Sequence, residues 1–130
     1  MSGLHTQAGP KLLLIEDEIL IRMVLADDLR LAGYHVIEAI DGETGLALFE
    51  ANPGIKLVIS DIRVPGSIDG IALATMIKQR VPTMPVILAS AHLPKGKEDI
   101  ADKFFHKPYN HTAIIACASA LLGPDAPSAI

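Results

Sequence analysis

Leu57-Val58-Ile59-Ser60-Asp61 is an apolar run that ends in a carboxylate, and the Ile62-Arg63-Val64-Pro65-Gly66 that follows cannot continue a central strand. Strands buried on both faces read as continuous Val, Ile and Leu, and open parallel sheets place their ligands at the carboxyl ends of such strands. Asp61 therefore reads as a reactive residue, although aspartate in this position also suits a plain turn. Glu16-Asp17-Glu18 closes another aliphatic run, Lys11 to Ile15, in the same manner. Two acidic strand ends favour a site over a turn.

Outward from these strands the chain alternates. Ile21, Leu25, Leu29 and Ala32 recur at helical spacing over Ile19 to Ala32, and Gly33 closes that helix. Tyr34 to Ala39 is strand-like, and Asp41 is placed to cap a helix running to about Asn52. Asn52-Pro53-Gly54 stops the chain before the strand that ends at Asp61. A third helix is expected from near Asp69 to Arg80, a fourth strand over Pro85 to Ala89, a short fifth around Phe104 to His106, and a last helix from Asn110 to about Leu122. Strand and helix alternating through short connections imply an α/β, doubly wound, five-stranded parallel sheet with right-handed crossovers. Residues 1–10 lack periodicity and read as a mobile leader, residues 11–123 as the domain, and 124–130 as a flexible tail.

At 130 residues, with half of them hydrophobic and 20% charged, the chain has the size and balance of one globular domain. A net charge of -4 with scattered lysines and arginines offers no footprint for nucleic acid. No apolar stretch approaches the roughly 18 residues that span a bilayer, and no signal segment opens the chain, so the expected location is cytoplasmic with no membrane contact. Cys117 has no partner for a disulfide and reads as a small core residue.

In a parallel sheet the first and third strands can lie side by side, which brings Glu16, Asp17 and Asp61 into one acidic pocket. Their mutual repulsion calls for a hard cation, and Mg²⁺ held by a few carboxylates, a carbonyl and water is the usual solution. Ser90 ends the fourth strand and Lys107 the fifth, on the same edge. The Lys107-Pro108 bond is one that adopts the cis form cheaply.

Together, Leu14-Ile15-Glu16-Asp17-Glu18, the Leu57 to Gly66 stretch, Asp69-Gly70, Val86-Ile87-Leu88-Ala89-Ser90-Ala91 and Lys107-Pro108-Tyr109 resemble the receiver domain of two-component response regulators, over about Lys11 to Leu122. The resemblance implies a flavodoxin-like strand order, 2-1-3-4-5. It implies that Asp61 accepts a phosphoryl group from a histidine kinase or phosphotransferase, with Mg²⁺ held by Glu16, Asp17, Asp61 and the Arg63 carbonyl. Lys107 would balance the phosphate charge, and Ser90 with the aromatic Phe104 would form the switch. A carboxylate nucleophile in phosphoryl transfer is chemically sound. Such a domain is a signalling phosphoacceptor rather than an enzyme acting on a separate substrate.

The stretch from Ala91 to Lys103 is short for this family and contains Pro94 and Gly96, so a shortened fourth helix of at most two turns is expected. Pro65-Gly66-Ser67-Ile68 carries one residue more than the common form of that loop. On the first helix Leu20, Met23, Val24 and Leu31 form an apolar line beside the core stripe, and such patches mark partner sites. In the family this helix docks the histidine-bearing bundle. Ile114, Ile115, Leu121 and Leu122 make the last helix similarly apolar, which suggests a homodimer through the first and last helices. With no output domain after Leu122, the expectation is a stand-alone receiver that signals by protein contacts or serves as a phosphate relay or sink. The alternative is a receiver-like interaction module that needs no phosphorylation. A phosphate hydrolase is disfavoured, because Asp61-Ile62-Arg63 lacks a second acid two residues on, and a flavin site lacks its phosphate loop after the first strand.

Overall fold

The computed structural model describes residues 9–127. Five parallel strands, β1 (Lys11–Ile15), β2 (His35–Ala39), β3 (Ile55–Asp61), β4 (Val86–Ser90) and β5 (Lys103–His106), form one sheet in the order β2-β1-β3-β4-β5. Four α-helices connect or follow them: α1 (Ile19–Leu31), α2 (Gly42–Ala51), α3 (Gly70–Arg80) and α4 (His111–Leu122). The doubly wound sheet and its strand order are those expected.

Alternate residues of each strand point to opposite faces, and the core divides accordingly. Leu12, Leu14, Leu57, Ile59 and Ile87 pack with Leu25, Ala26 and Leu29 of α1 and with Ile114, Ala118 and Leu122 of α4. Leu13, Ile15, Val58, Val86 and Leu88 pack on the other face with Phe49 of α2 and Leu73, Ala74 and Ile77 of α3. In register, Ile15 lies opposite Ser60, Asp61 opposite Ala89 and Ser90 opposite His106. The strands that carry the candidate site therefore finish nearly flush.

Three helices begin on side chains that accept the backbone N–H three residues on: Asp41 from Thr44 at 2.7 Å, Asp69 from Ala72 at 2.8 Å and Asn110 from Ala113 at 3.2 Å. Each satisfies a helix-end donor that would otherwise go unpaired. The buried stripe of α1 differs from its reading in the sequence: Leu25, Ala26 and Leu29 are buried, whereas Ile21 and Ala32 are only partly so. Ala26 joins the core shared by the sheet and α4, whereas Ile21 lies nearer Pro108, Tyr109 and His111.

Between β4 and β5 the shortened helix is reduced to one 3₁₀ turn, Glu98–Ile100. Asp102 explains why. Its backbone N–H donates to the Val86 carbonyl at 2.8 Å, and its Oδ2 accepts from the Val86 N–H and from Lys78 Nζ, each at 2.7 Å. The chain must already lie against the sheet at Asp102, and Gly96, at a φ of +79°, has only just turned it back. Five residues lie between Gly96 and Asp102, little more than one α-helical turn.

At the other end, a 3₁₀ turn at Gly123–Asp125 follows α4, and Ala126 packs against the α1 and α4 core. Pro127 lies beside Gly33. The expected leader falls outside the described residues over 1–8, as does the tail over 128–130.

α3 approaches β3 so closely at Gly70 that a Cβ there would run into the Asp61 carbonyl. Gly70→Ala is expected to lower the unfolding free energy by about 1–3 kcal/mol, the usual cost of overpacking. A urea unfolding curve checks it, and a midpoint unchanged from wild type would show that the β3–α3 approach is loose.

Candidate functional site

The ends of β1, β3, β4 and β5 bring together the residues that the sequence singled out. Glu16 and Asp61 are nearly buried, at 2% and 9% exposure, while Asp17 is open to solvent. One oxygen from each of the three carboxylates lies within 4.8 Å of the others. Lys107 reaches over from the end of β5, its Nζ standing 2.9 Å from Asp61 Oδ2 and 3.0 Å from Glu16 Oε1. Glu16 Oε2 accepts the Glu18 N–H at 3.1 Å.

The backbone holds these groups. The Glu16 N–H donates to the Ala39 carbonyl at 3.0 Å, and the Ile62 N–H to the Ala89 carbonyl at 2.9 Å, so sheet pairing continues just past the functional carboxylates. Lys107 is followed by a cis bond to Pro108, and its N–H donates to the Ser90 carbonyl at 2.9 Å. Ser90 is buried, and its Oγ accepts the His92 N–H at 3.3 Å. Phe104 packs, partly buried, against the α2 and α3 side of the core. Arg63 is exposed at the rim of a shallow cavity of about 270 Å³ whose walls include Asp17, Asp61, Ser90 and Lys107. A larger cavity of about 620 Å³ lies at the opposite, amino edge of the sheet, walled by Phe49, Ile55, Arg80, Met84 and Leu122, and contains none of these residues.

The electrostatics follow from burial and pairing. Burial pushes the Glu16 carboxyl above its ordinary range, against the hydrogen bonds from Lys107 and Glu18, and the charge of Asp61 adds to the rise. Burial works against the Lys107 ammonium, but its hydrogen bonds to Asp61 and Glu16 outweigh that and hold its pKa well above the ordinary lysine value. Tyr109 is pushed up to about 12, first by burial and then by the charge of Glu16. Three acids against one ammonium leave excess negative charge in a partly dry pocket. A hard cation with oxygen ligands fits that donor set, with the carboxylates of Glu16, Asp17 and Asp61 close enough to hold it.

Of the predicted docking residues, Leu20 is 73%, Val24 52% and Met23 48% exposed. The apolar residues of α4 behave differently: Ile114 and Leu122 are buried and Ile115 and Leu121 pack against the core, so the exposed apolar patch belongs to α1. Two site neighbours escaped the sequence reading. Arg22 donates to the Glu16 carbonyl at 3.0 Å, and Glu43 Oε2 accepts from Ser67 N–H at 2.8 Å and Ser67 Oγ at 2.7 Å, tying down the long β3–α3 loop. The signal for Arg22 was present, since it is the one charge in the otherwise apolar Ile19 to Leu25. Nothing local foretold the Glu43 to Ser67 tie.

A sequence profile of the response regulator receiver domain matches residues 12–119. The transcriptional regulatory protein AfsQ1 of Streptomyces coelicolor is 36% identical over 119 residues, covering 87% of this chain and 51% of AfsQ1. The response regulator protein FleR of Pseudomonas aeruginosa is 38% identical over 82 residues, covering 63% of this chain and 17% of FleR. The chain thus spans about half, or less, of the length of these curated relatives. Among solved structures, the response regulator protein TrrA of Thermotoga maritima, in complex with Mg²⁺-BeF, is 30% identical with a TM-score of 0.79, covering 86% of this chain and 98% of TrrA.

The pairing of Lys107 and the burial of Tyr109 have a stability consequence. Both groups keep their protons to higher pH in the folded than in the unfolded chain. The stability that these two groups contribute is therefore fully present below about pH 10, where the unfolded groups begin to titrate, and falls as pH rises further. Melting temperatures measured from pH 9 to 12 should drop with a slope that Lys107→Met or Tyr109→Phe flattens. Equal slopes in all three proteins would remove these groups as the cause.

Proposed function

The chain belongs to the response regulator receiver domain family, and from that premise we propose that Asp61 is its phosphoacceptor, charged by a histidine kinase or histidine phosphotransferase in a Mg²⁺-dependent reaction. The observation that carries this is the meeting of Asp61 Oδ2 with Lys107 Nζ at 2.9 Å, beside two further carboxylates within 4.8 Å. A carboxylate fixed at a strand end, next to a cation, is arranged for in-line attack on phosphorus. The N–P bond of the donor phosphohistidine breaks as an O–P bond to Asp61 forms, and the imidazole leaves.

Glu16, Asp17, Asp61 and the Arg63 carbonyl would hold Mg²⁺, which would supply charge neutralisation for phosphoryl transfer. Lys107 holds Asp61 in place and offers its ammonium to the same oxygens. Ser90, at the end of β4, would donate its hydroxyl to an oxygen of the transferred group, the same Oγ now accepting the His92 N–H. Phe104, on the neighbouring strand and only partly buried, is the side chain free to adjust to that bond. Leu20, Met23 and Val24 beside the pocket form the surface on which a donor helix docks. Such a domain is a signalling switch, relay or sink in the cytoplasm. Among the described residues no helix is long and apolar enough to cross a membrane.

One observation favours a second reading, a receiver-like module that binds partners without phosphorylation. With a single 3₁₀ turn between β4 and β5, there is little helix there to relay a change at Ser90.

Incubation with Mg²⁺ and acetyl phosphate, followed by intact mass measurement, separates the two. Wild type should gain one phosphoryl group and Asp61→Asn none. No gain in wild type, or equal gain in both, would leave the second reading. Mg²⁺ should also stabilise the protein, by about 2.7 kcal/mol when present at 100 times its dissociation constant. Asp17→Ala should lose most of that stabilisation in thermal melts, and equal shifts in both proteins would remove the acid pair from the metal site.

A further inference from the structure

Arg22 sits on the first turn of α1 with its side chain only 13% exposed. Its Nη1 donates to the Glu16 main-chain carbonyl at 3.0 Å, and its Nε donates to Glu38 Oε1 on β2 at 3.1 Å. Glu38 is itself braced, accepting from Arg30 Nη2 at 2.9 Å through its other oxygen. The guanidinium is thus anchored on β2 while it grips the turn that follows β1.

The carbonyl it grips belongs to the peptide between Glu16 and Asp17. That peptide is the sole covalent link between the two adjacent carboxylates of the acidic pocket. A peptide is planar, so fixing its oxygen also fixes the direction in which the Asp17 N–H and Cα leave it. The Glu18 N–H bond to Glu16 Oε2 steadies the next peptide rather than this one. Glu18, at the N-cap of α1, makes no side-chain capping bond, and the first turn contains no acidic residue.

We propose that Arg22 is a positioning residue of the cation site, holding the Glu16–Asp17 peptide in the orientation that lets both carboxylates meet one ion. The proposal rests on the reading of Glu16, Asp17 and Asp61 as a Mg²⁺ site. Its requirement is geometric as well as electrostatic. Arg22 uses two different nitrogens of one rigid plane, toward two acceptors on separate elements. Lysine would bring the charge without the fork. Loss of an outer-shell partner of this kind typically weakens metal binding about 10- to 100-fold.

Two measurements on the full chain test this. In calorimetric Mg²⁺ titrations, Arg22→Met, which keeps the apolar stem, should bind about 10-fold or more weakly than wild type. Arg22→Lys should remain several-fold weaker, and Arg80→Ala, whose ion pair with Glu50 touches neither Arg22 nor Glu38, should match wild type. In metal-free amide NMR spectra, Arg22→Met and Arg22→Lys should both displace the Asp17 N–H resonance, while Arg80→Ala leaves it near its wild-type position. Arg22→Lys equal to wild type in Mg²⁺ affinity and Asp17 shift would reduce Arg22 to a charge. Arg22→Met within two-fold of wild type in affinity would overturn the positioning role. Failure of wild type to bind Mg²⁺ would instead sink the metal reading, and the Asp17 resonance of the metal-free proteins would still report on the tether.

Discussion

The ammonium of Lys107 joins the two ends of this chain at one point. It contacts Glu16 at the end of β1 and Asp61 at the end of β3 while its own backbone hangs from Ser90 on β4. β5 lies two strands from β3, about 10 Å at ordinary strand spacing, so a long cationic side chain is required to cross. Without that cation, two largely buried carboxylates would face each other uncompensated, a costly arrangement in a partly dry site. The strand order places these three residues on one edge, and the lysine makes their proximity tolerable.

The segment between β4 and β5 shows how a shortened connection is stabilised. A helix there would bury an apolar face on the sheet. Instead Asp102 bonds Val86 through its backbone N–H and its carboxylate, and the same carboxylate pairs with Lys78 of α3. Ile100 and Ala101 still pack against the α3 side of the core. β5 is thus pinned at its start by Asp102 and at its end by the Lys107 N–H.

The parts of the fold that could be read from the chain are those with a local signature. Apolar runs ending at Asp17, Asp61 and Ser90, the caps Asp41, Asp69 and Asn110, and the breaks at Gly33 and Asn52-Pro53-Gly54 all act within a few residues. The site itself was legible as a set of strand ends. Its assembly on one edge came from parallel topology together with a family resemblance. What escaped depends on contacts far apart in sequence. Ala26 is buried because of where α4 lies, Ile114 and Leu122 turn inward for the same reason, and the Glu43 to Ser67 tie joins α2 to a loop 24 residues away. Pro94 and Gly96 announced a short fourth helix. They did not announce Asp102, whose bonds to Val86 reduce it to one turn.

Glu16 concentrates the remaining tension. Both of its oxygens are engaged by the protein, one by Lys107 and one by the Glu18 N–H, yet burial still holds its carboxyl above the ordinary range. Lys107 divides one positive charge between two acids, and Asp17 adds a third that it does not reach. Any further cation in this pocket would compete with Lys107 for Glu16, and a lysine released from Glu16 keeps its second partner, Asp61. The competition would therefore leave the ammonium with Asp61 alone. In such an arrangement one side chain both neutralises the pocket and steadies Asp61, and what divides it between the two tasks is how firmly Glu16 and Asp17 are presented to the ion.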